Sequence, residues 1–141
     1  MNLDEKLVAR CLADRASGLS AAVLNDLKSD DSRYSLLAIF YYDIKQGGFA
    51  QFVYNANGIY LPEMAEVLSA VKADQSNAFL DQVMNLCIDK NDQYLQFLSG
   101  DFEDSPFKSE LQQITQAYVD AGSPVEVEAA EAITKLVKRV G

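Results

Sequence analysis

The 141-residue sequence predicts an all-α fold: a single compact domain over residues 1–141, with about eight or nine short helices around one core. Three observations carry that expectation. Apolar residues recur at the i, i+3, i+4, i+7 spacing of one helix face almost throughout. Glycine, proline and Ser/Asp/Asn punctuation separates the stripes at short intervals, and no tract is long enough to link two domains. Hydrophobic residues make up 49% of the chain and charged residues 23%, a balance that can fill a core and that argues against disorder.

Leu3, Leu7, Val8, Cys11 and Leu12 make the first stripe; beyond Gly18, Leu19, Ala22, Val23 and Leu27 make a second. Ser29-Asp30-Asp31-Ser32 offers N-caps for a third helix, with Leu36, Leu37, Phe40 and Ile44 inward. The short apolar run Leu36–Tyr42 also admits a strand reading. Gly47-Gly48 stops that helix, and Phe49, Phe52, Val53 and Ala56 restart one that ends near Asn57-Gly58. Pro62 suits the first turn of the next, which carries Met64, Ala65, Leu68 and Val71. Further stripes are Phe79, Leu80, Val83, Leu86 and Cys87; Tyr94, Leu95 and Leu98; and Phe107, Leu111, Ile114 and Tyr118. Gly122-Ser123-Pro124 precedes a last helix with Ala129, Ala130, Ile133, Leu136, Val137 and Val140.

Composition narrows the chemistry. The chain has no histidine, which removes His-based triads, His metal sites and imidazole acid–base catalysis. Cys11 and Cys87 lack CxxC spacing and sit in apolar stripes, as small core residues do; a disulfide or a reactive thiol is the alternative. No apolar run spans a bilayer, and the acidic start Met-Asn-Leu-Asp-Glu-Lys is unlike a signal peptide. These features fit a cytoplasmic protein without cofactor, metal or membrane.

The net charge of −9 is unevenly placed. Residues 1–58 hold 7 acids and 6 bases, whereas residues 59–132 hold 14 acids and only Lys72, Lys90 and Lys108. Lys135, Lys138 and Arg139 return positive charge at the final helix end, where they complement its dipole. A net of eleven negative charges equals the phosphate charge of roughly 19 Å of duplex, the length of a helix of about 12–13 residues. Gathered on one face, these acids approach the charge density of DNA; dispersed, they confer solubility alone.

The segment Gln46–Pro62 stands apart. Gly47 and Gly48 permit a sharp reversal, Phe49 and Phe52 anchor the helix that follows, and Asn55, Asn57 and Gly58 suit a turn. Gln46, Gln51 and Asn55 are the ligand-contacting candidates within it. Gly47, Gly48, Phe49, Gln51, Phe52 and Asn55 match a box of the form Asn-Gly-Gly-Phe-x-Gln-Phe-Phe-x-Asn, followed by a Gly-Tyr-like turn and a helix. Gln46 stands for the Asn, Val53 for the second Phe, and Ile59 is extra before Tyr60. Over about residues 42–68 the chain therefore resembles a bacterial family of small helical domains, long described as of unknown function, that includes a DNA-mimic protein. The resemblance implies a helical, homodimeric protein; in the DNA-mimic member, surface carboxylates occupy the DNA-binding face of a transcription regulator.

The reading that unites charge and resemblance is an acidic protein-binding module, a DNA mimic directed at a basic DNA-binding protein and not itself a nucleic-acid binder. Its candidate contacts are Glu63, Glu66, Asp74, Asp81, Asp89, Asp92, Asp101, Glu103, Asp104, Glu110, Asp120, Glu126, Glu128 and Glu131, with emphasis on Asp101–Glu110 because loop acids need not pack. Such acids steer association and replace phosphates opposite Lys and Arg. An immunity- or antitoxin-like inhibitor aimed at a basic toxin uses the same acids. An enzyme working through carboxylate pairs such as Glu63/Glu66 or Glu128/Glu131 is the remaining class.

Overall fold

The computed structural model describes residues 1–18, 26–100 and 102–140. Its helices are α1 (Leu3–Ala16), α2 (Asp30–Ala56), α3 (Leu61–Ala70), α4 (Asp74–Asp89), α5 (Asn91–Ser99), α6 (Pro106–Asp120), α7 (Val125–Glu128) and α8 (Ala130–Val140). No strand occurs among the described residues, and Leu36–Tyr42 is helical. Single-residue joints at Lys90 and Ala129 run α4 into α5 and α7 into α8. Counted across those joints the described residues form six helical units, fewer than the eight or nine short helices expected. The reason is that the stripes on either side of Gly47-Gly48 share the single element α2, and those on either side of Lys90 join there. The stripe Leu19–Val23 lies outside the described residues, and Leu27 is half-buried.

Ser29 opens α2 as its N-cap, accepting from the Ser32 amide at 3.1 Å. From Tyr34 to Tyr41 every residue is buried. Such a helix, apolar all round, has to be surrounded, and α1, α3, α6 and α8 pack on it. Arg10 ties α1 to α2 from above, donating to Asp31 Oδ1 at 2.7 Å and to the buried Ser35 Oγ at 2.8 Å. Two stripe assignments change. Leu12 and Leu95 face outward, 49% and 54% exposed, while Phe97 fills the core position on α5. The α5 face is set by where α6 lies, since Phe97 stacks within 5.6 Å of Phe107. Cys11 and Cys87 are buried free thiols.

The glycine pair breaks α2 without ending it. Gly47 (φ −152°, ψ 18°) and Gly48 (φ 71°, ψ −166°) leave helical space, and the Gly48 angles belong to a region open essentially to glycine alone. The backbone groups freed there are taken up by α6: the Phe49 amide donates to Thr115 Oγ1 at 2.8 Å, and Gln112 Nε2 donates to the Gly47 carbonyl at 3.1 Å. A Cβ on Gly48 meets Gln112 Oε1 at 2.6 Å and Thr115 Oγ1 at 2.7 Å. Beyond the break, Phe49 and Phe52 pack edge-on against Phe40, with centroids at 6.1 and 5.4 Å.

Two predictions follow from this packing. Gly48→Ala lowers stability by about 2–4 kcal/mol in denaturant unfolding, because strain and the lost Thr115 contact add; an unchanged midpoint would show the break to be tolerant. The second concerns base. Burial pushes the Tyr60 and Tyr118 phenols up to about 12, above the ordinary value of about 10 in the unfolded chain. The unfolded chain loses these protons first, so stability is complete below pH ~10 and falls as pH rises towards ~12, by of order 2 kcal/mol per tyrosine. Tyr118→Phe flattens that decline in a series of denaturant midpoints against pH.

Candidate protein-binding surface

In the Gln46–Pro62 corner Phe49, Phe52, Val53, Ala56 and Tyr60 are buried, while Gln46, Asn55, Asn57, Gly58, Ile59 and Pro62 are exposed. Gln51 folds its side chain over Gly47, and Asn57, left-handed at φ 48°, closes α2 ahead of Gly58 at φ 77°. Asn55 donates from Nδ2 to Asp43 Oδ1 at 3.2 Å. The other Asp43 oxygen, Oδ2, accepts from Arg15 Nη2 on α1 at 2.7 Å, and the Asp43 side chain is wholly buried. This hydrogen bond donated to Asp43 raises the Arg15 pKa further still, so the guanidinium stays charged. Burial pushes the neighbouring Cys11 thiol up to about 11, which keeps it protonated and unreactive. Asp43 is the residue that sequence reasoning passed over. The available signal was a lone acid inside an apolar run, since a charge there needs a partner.

The fourteen candidate acids separate into groups. Glu128 is consumed inside the fold: its Oε2 accepts from the Gln75 amide at 2.6 Å and its Oε1 from the Ser76 amide at 2.9 Å and the Ser76 hydroxyl at 2.8 Å. It thus caps the first turn of α4, which has no side-chain cap of its own, and Ser76 shares its hydroxyl with Tyr118 at 2.6 Å. Glu126 is drawn under Lys45 at 3.3 Å. Glu131 pairs with Lys135 on one helix face. Glu63 is half-buried in the first turn of α3, with Oε2 making no hydrogen bond, and Glu66 is exposed on the same helix. Glu103 and Asp104 edge a small cleft beside Phe97 and Phe107, where Lys108 reaches Asp104 at 3.4 Å. Asp101 lies outside the described residues. Asp92 is exposed at the start of α5.

The remaining acids form a pattern. Asp74, Asp81 and Asp89 are exposed along α4 at the seven- and eight-residue spacing that holds one helix face. Helix α6 runs antiparallel beside it, because Lys90 meets Glu110 at 2.9 Å at one end while Ser76 meets Tyr118 at the other. Glu110 and the exposed Asp120 thereby stand at opposite ends of the neighbouring helix. The sixteen residues from Asp74 to Asp89 rise about 22 Å from first to last, so five carboxylates over that length give about one charge per 4–5 Å. A single strand of duplex carries one per ~3.4 Å. That is about 1.3 times the spacing on one DNA strand and about 2.6 times that on the duplex, and Lys90 offsets one of the five charges through its pair with Glu110.

Positive charge gathers elsewhere. Arg33, Lys72, Lys135 and Arg139 line a cleft between α3 and α8 together with Glu128 and Glu131, and Arg139 is held to Asp30 by hydrogen bonds of 2.9 and 3.1 Å. Arg139 thus joins α8 to α2 as well as complementing a helix dipole. Among the described residues no three thiols or carboxylates lie together as a metal site, and no helix is long and apolar enough to cross a membrane.

These features define a small helical protein, with no strand among the described residues, in which α4 carries three exposed aspartates along one face. The chain belongs to the family of DMP19-like proteins, whose family pattern matches residues 25–139. This is the DNA-mimic family that the Gln46–Asn55 box resembles; the match begins after α1 and takes in every carboxylate discussed above. No curated protein and no solved structure matches the chain.

The Arg15–Asp43–Asn55 contact leads to a stability prediction. Asp43→Ala strands the guanidinium and the amide and lowers stability by about 3 kcal/mol, the lower end of the range for breaking a buried pair because Arg15 is partly solvated. Replacing the pair together, Arg15→Met with Asp43→Leu, costs less than the single change. Equal losses would mean that the pair is uncoupled.

Proposed function

We propose that this protein is an acidic protein-binding module that acts as a DNA mimic, occupying the nucleic-acid-binding face of a basic DNA-binding protein or transcription regulator. The observation that carries the reading is the run of Asp74, Asp81 and Asp89 along α4 with Glu110 and Asp120 on antiparallel α6. Its charge spacing approaches that of a nucleic-acid strand, and membership of the DMP19-like family supports the same conclusion. Carboxylates offer Lys and Arg the charge-assisted hydrogen bonds that phosphates offer. They are held on two packed helices, so little order is lost on binding. The loop acids Glu103 and Asp104 are a secondary contact, since Lys108 already shares Asp104. Glu128 contributes through the fold that sets α4, and Glu126 through its pair with Lys45, not through the partner.

Affinity capture with the wild-type chain and with Asp74→Asn/Asp81→Asn/Asp89→Asn tests this. The wild type retains a basic DNA-binding protein that is released between about 50 and 500 mM salt. The triple variant binds it at least about tenfold more weakly, with a shallower salt dependence. Duplex DNA competes for the captured protein. Salt-insensitive binding, or a ternary complex with DNA, removes the mimicry, and capture of a nuclease bound at its catalytic cleft moves the protein to the inhibitor class.

A further inference from the structure

The acids of α4 and α6 border a groove with a different chemistry at its floor. Between the two helices lies an open trough of about 490 Å³. Leu86, Ile114 and Ala117 line it, and Asp89 and Glu110 line it beside them. Leu86 and Ile114 are only half-buried and Ala117 is exposed, so apolar surface remains uncovered, with Asp89 and Glu110 at one end and Gln82, Asn85 and Gln113 beside it. A phosphate backbone has no counterpart to such a strip.

Resting on the binding reading above, we infer that this trough seats a basic amphipathic helix of the partner protein. Two packed helices leave a furrow that a third helix fills by setting its ridges into it. Charge chooses the occupant. The carboxylates of Asp89 and Glu110 in the trough repel an acidic segment and attract Lys and Arg on an incoming helix. Aliphatic side chains on its inner face cover Leu86, Ile114 and Ala117. Lys90, now on Glu110 at 2.9 Å, is the local cation that an arriving guanidinium displaces. Gln82, Asn85 and Gln113 also line the trough and can hydrogen-bond polar groups of the occupant without adding charge. The division of labour is physical: carboxylates supply an attraction that salt screens, while the floor supplies an apolar contact that salt does not weaken. The floor therefore selects one basic partner among many.

Two synthetic peptides of ~14 residues, about 21 Å as helices, test the inference. They carry the same number of lysines, one with leucines on the opposite face and one with serines there. At about 150 mM salt the Lys/Leu peptide binds at least about tenfold tighter by fluorescence anisotropy, and it shifts the amide resonances of Leu86, Ile114 and Ala117. Ala117→Gln, a helix-compatible change at an exposed site, blocks the floor and removes that advantage without weakening the Lys/Ser peptide. Ile88→Ser serves as control, because Ile88 is 70% exposed yet lies outside the trough; it leaves both affinities unchanged. Circular dichroism confirms that each variant is folded. Equal binding of the two peptides, or an Ala117→Gln variant that keeps the preference, overturns the groove while leaving the acidic surface intact, provided Asp89→Asn weakens both. If Asp89→Asn weakens neither peptide, or neither binds, the acidic-surface reading falls as well.

Discussion

Where Gly48 takes α2 out of helical space, the Phe49 amide is donated to Thr115 and the Gly47 carbonyl accepts from Gln112, both on α6. Most of what the surface can do depends on that junction. A buried backbone break needs partners from outside its own helix, and those partners fix α6 against the centre of the fold. With α6 in place, Tyr118 meets Ser76 and Lys90 meets Glu110, which settles α4 antiparallel to it. The carboxylate spacing across the two helices is thus a consequence of a glycine in the core.

Charge in this molecule is sorted by burial. The deepest acid, Asp43, is matched by Arg15 and Asn55, because a charge in low dielectric has to be compensated. Glu128 is matched by the backbone donors of a helix start. Both are structural acids, although sequence alone placed Glu128 among the charges available to a partner. The outer acids of α4 have water for company and keep their charge for long-range attraction.

Much of the fold was legible. The glycine break, the Ser29 cap, the Pro62 start and the stop at Asn57-Gly58 all stand where local chemistry puts them, since each rests on interactions within a few residues. Stripe reading failed at Leu12 and Leu95, where helical spacing gives a face but not the neighbour that covers it. The helix count fell short for a related reason: a stripe that changes face looks like a new helix, although the chain runs on through Gly47-Gly48 and joins α4 to α5 at Lys90. In the corner box, Gly48 and Phe49 could be read as packing residues, while the bond from Asn55 to Asp43 could not, because an amide side chain suits a turn equally well.

The sequence by itself determined that the chain is helical, that it has no histidine chemistry and that its negative charge belongs to the second half, because composition and periodicity are local properties. Tertiary structure alone decided which carboxylates stand together. An aspartate on a helix surface has the same local chemistry whether the adjacent helix brings lysine, solvent or another acid. Only the packing of α4 on α6, with partners dozens of residues apart, chose among them.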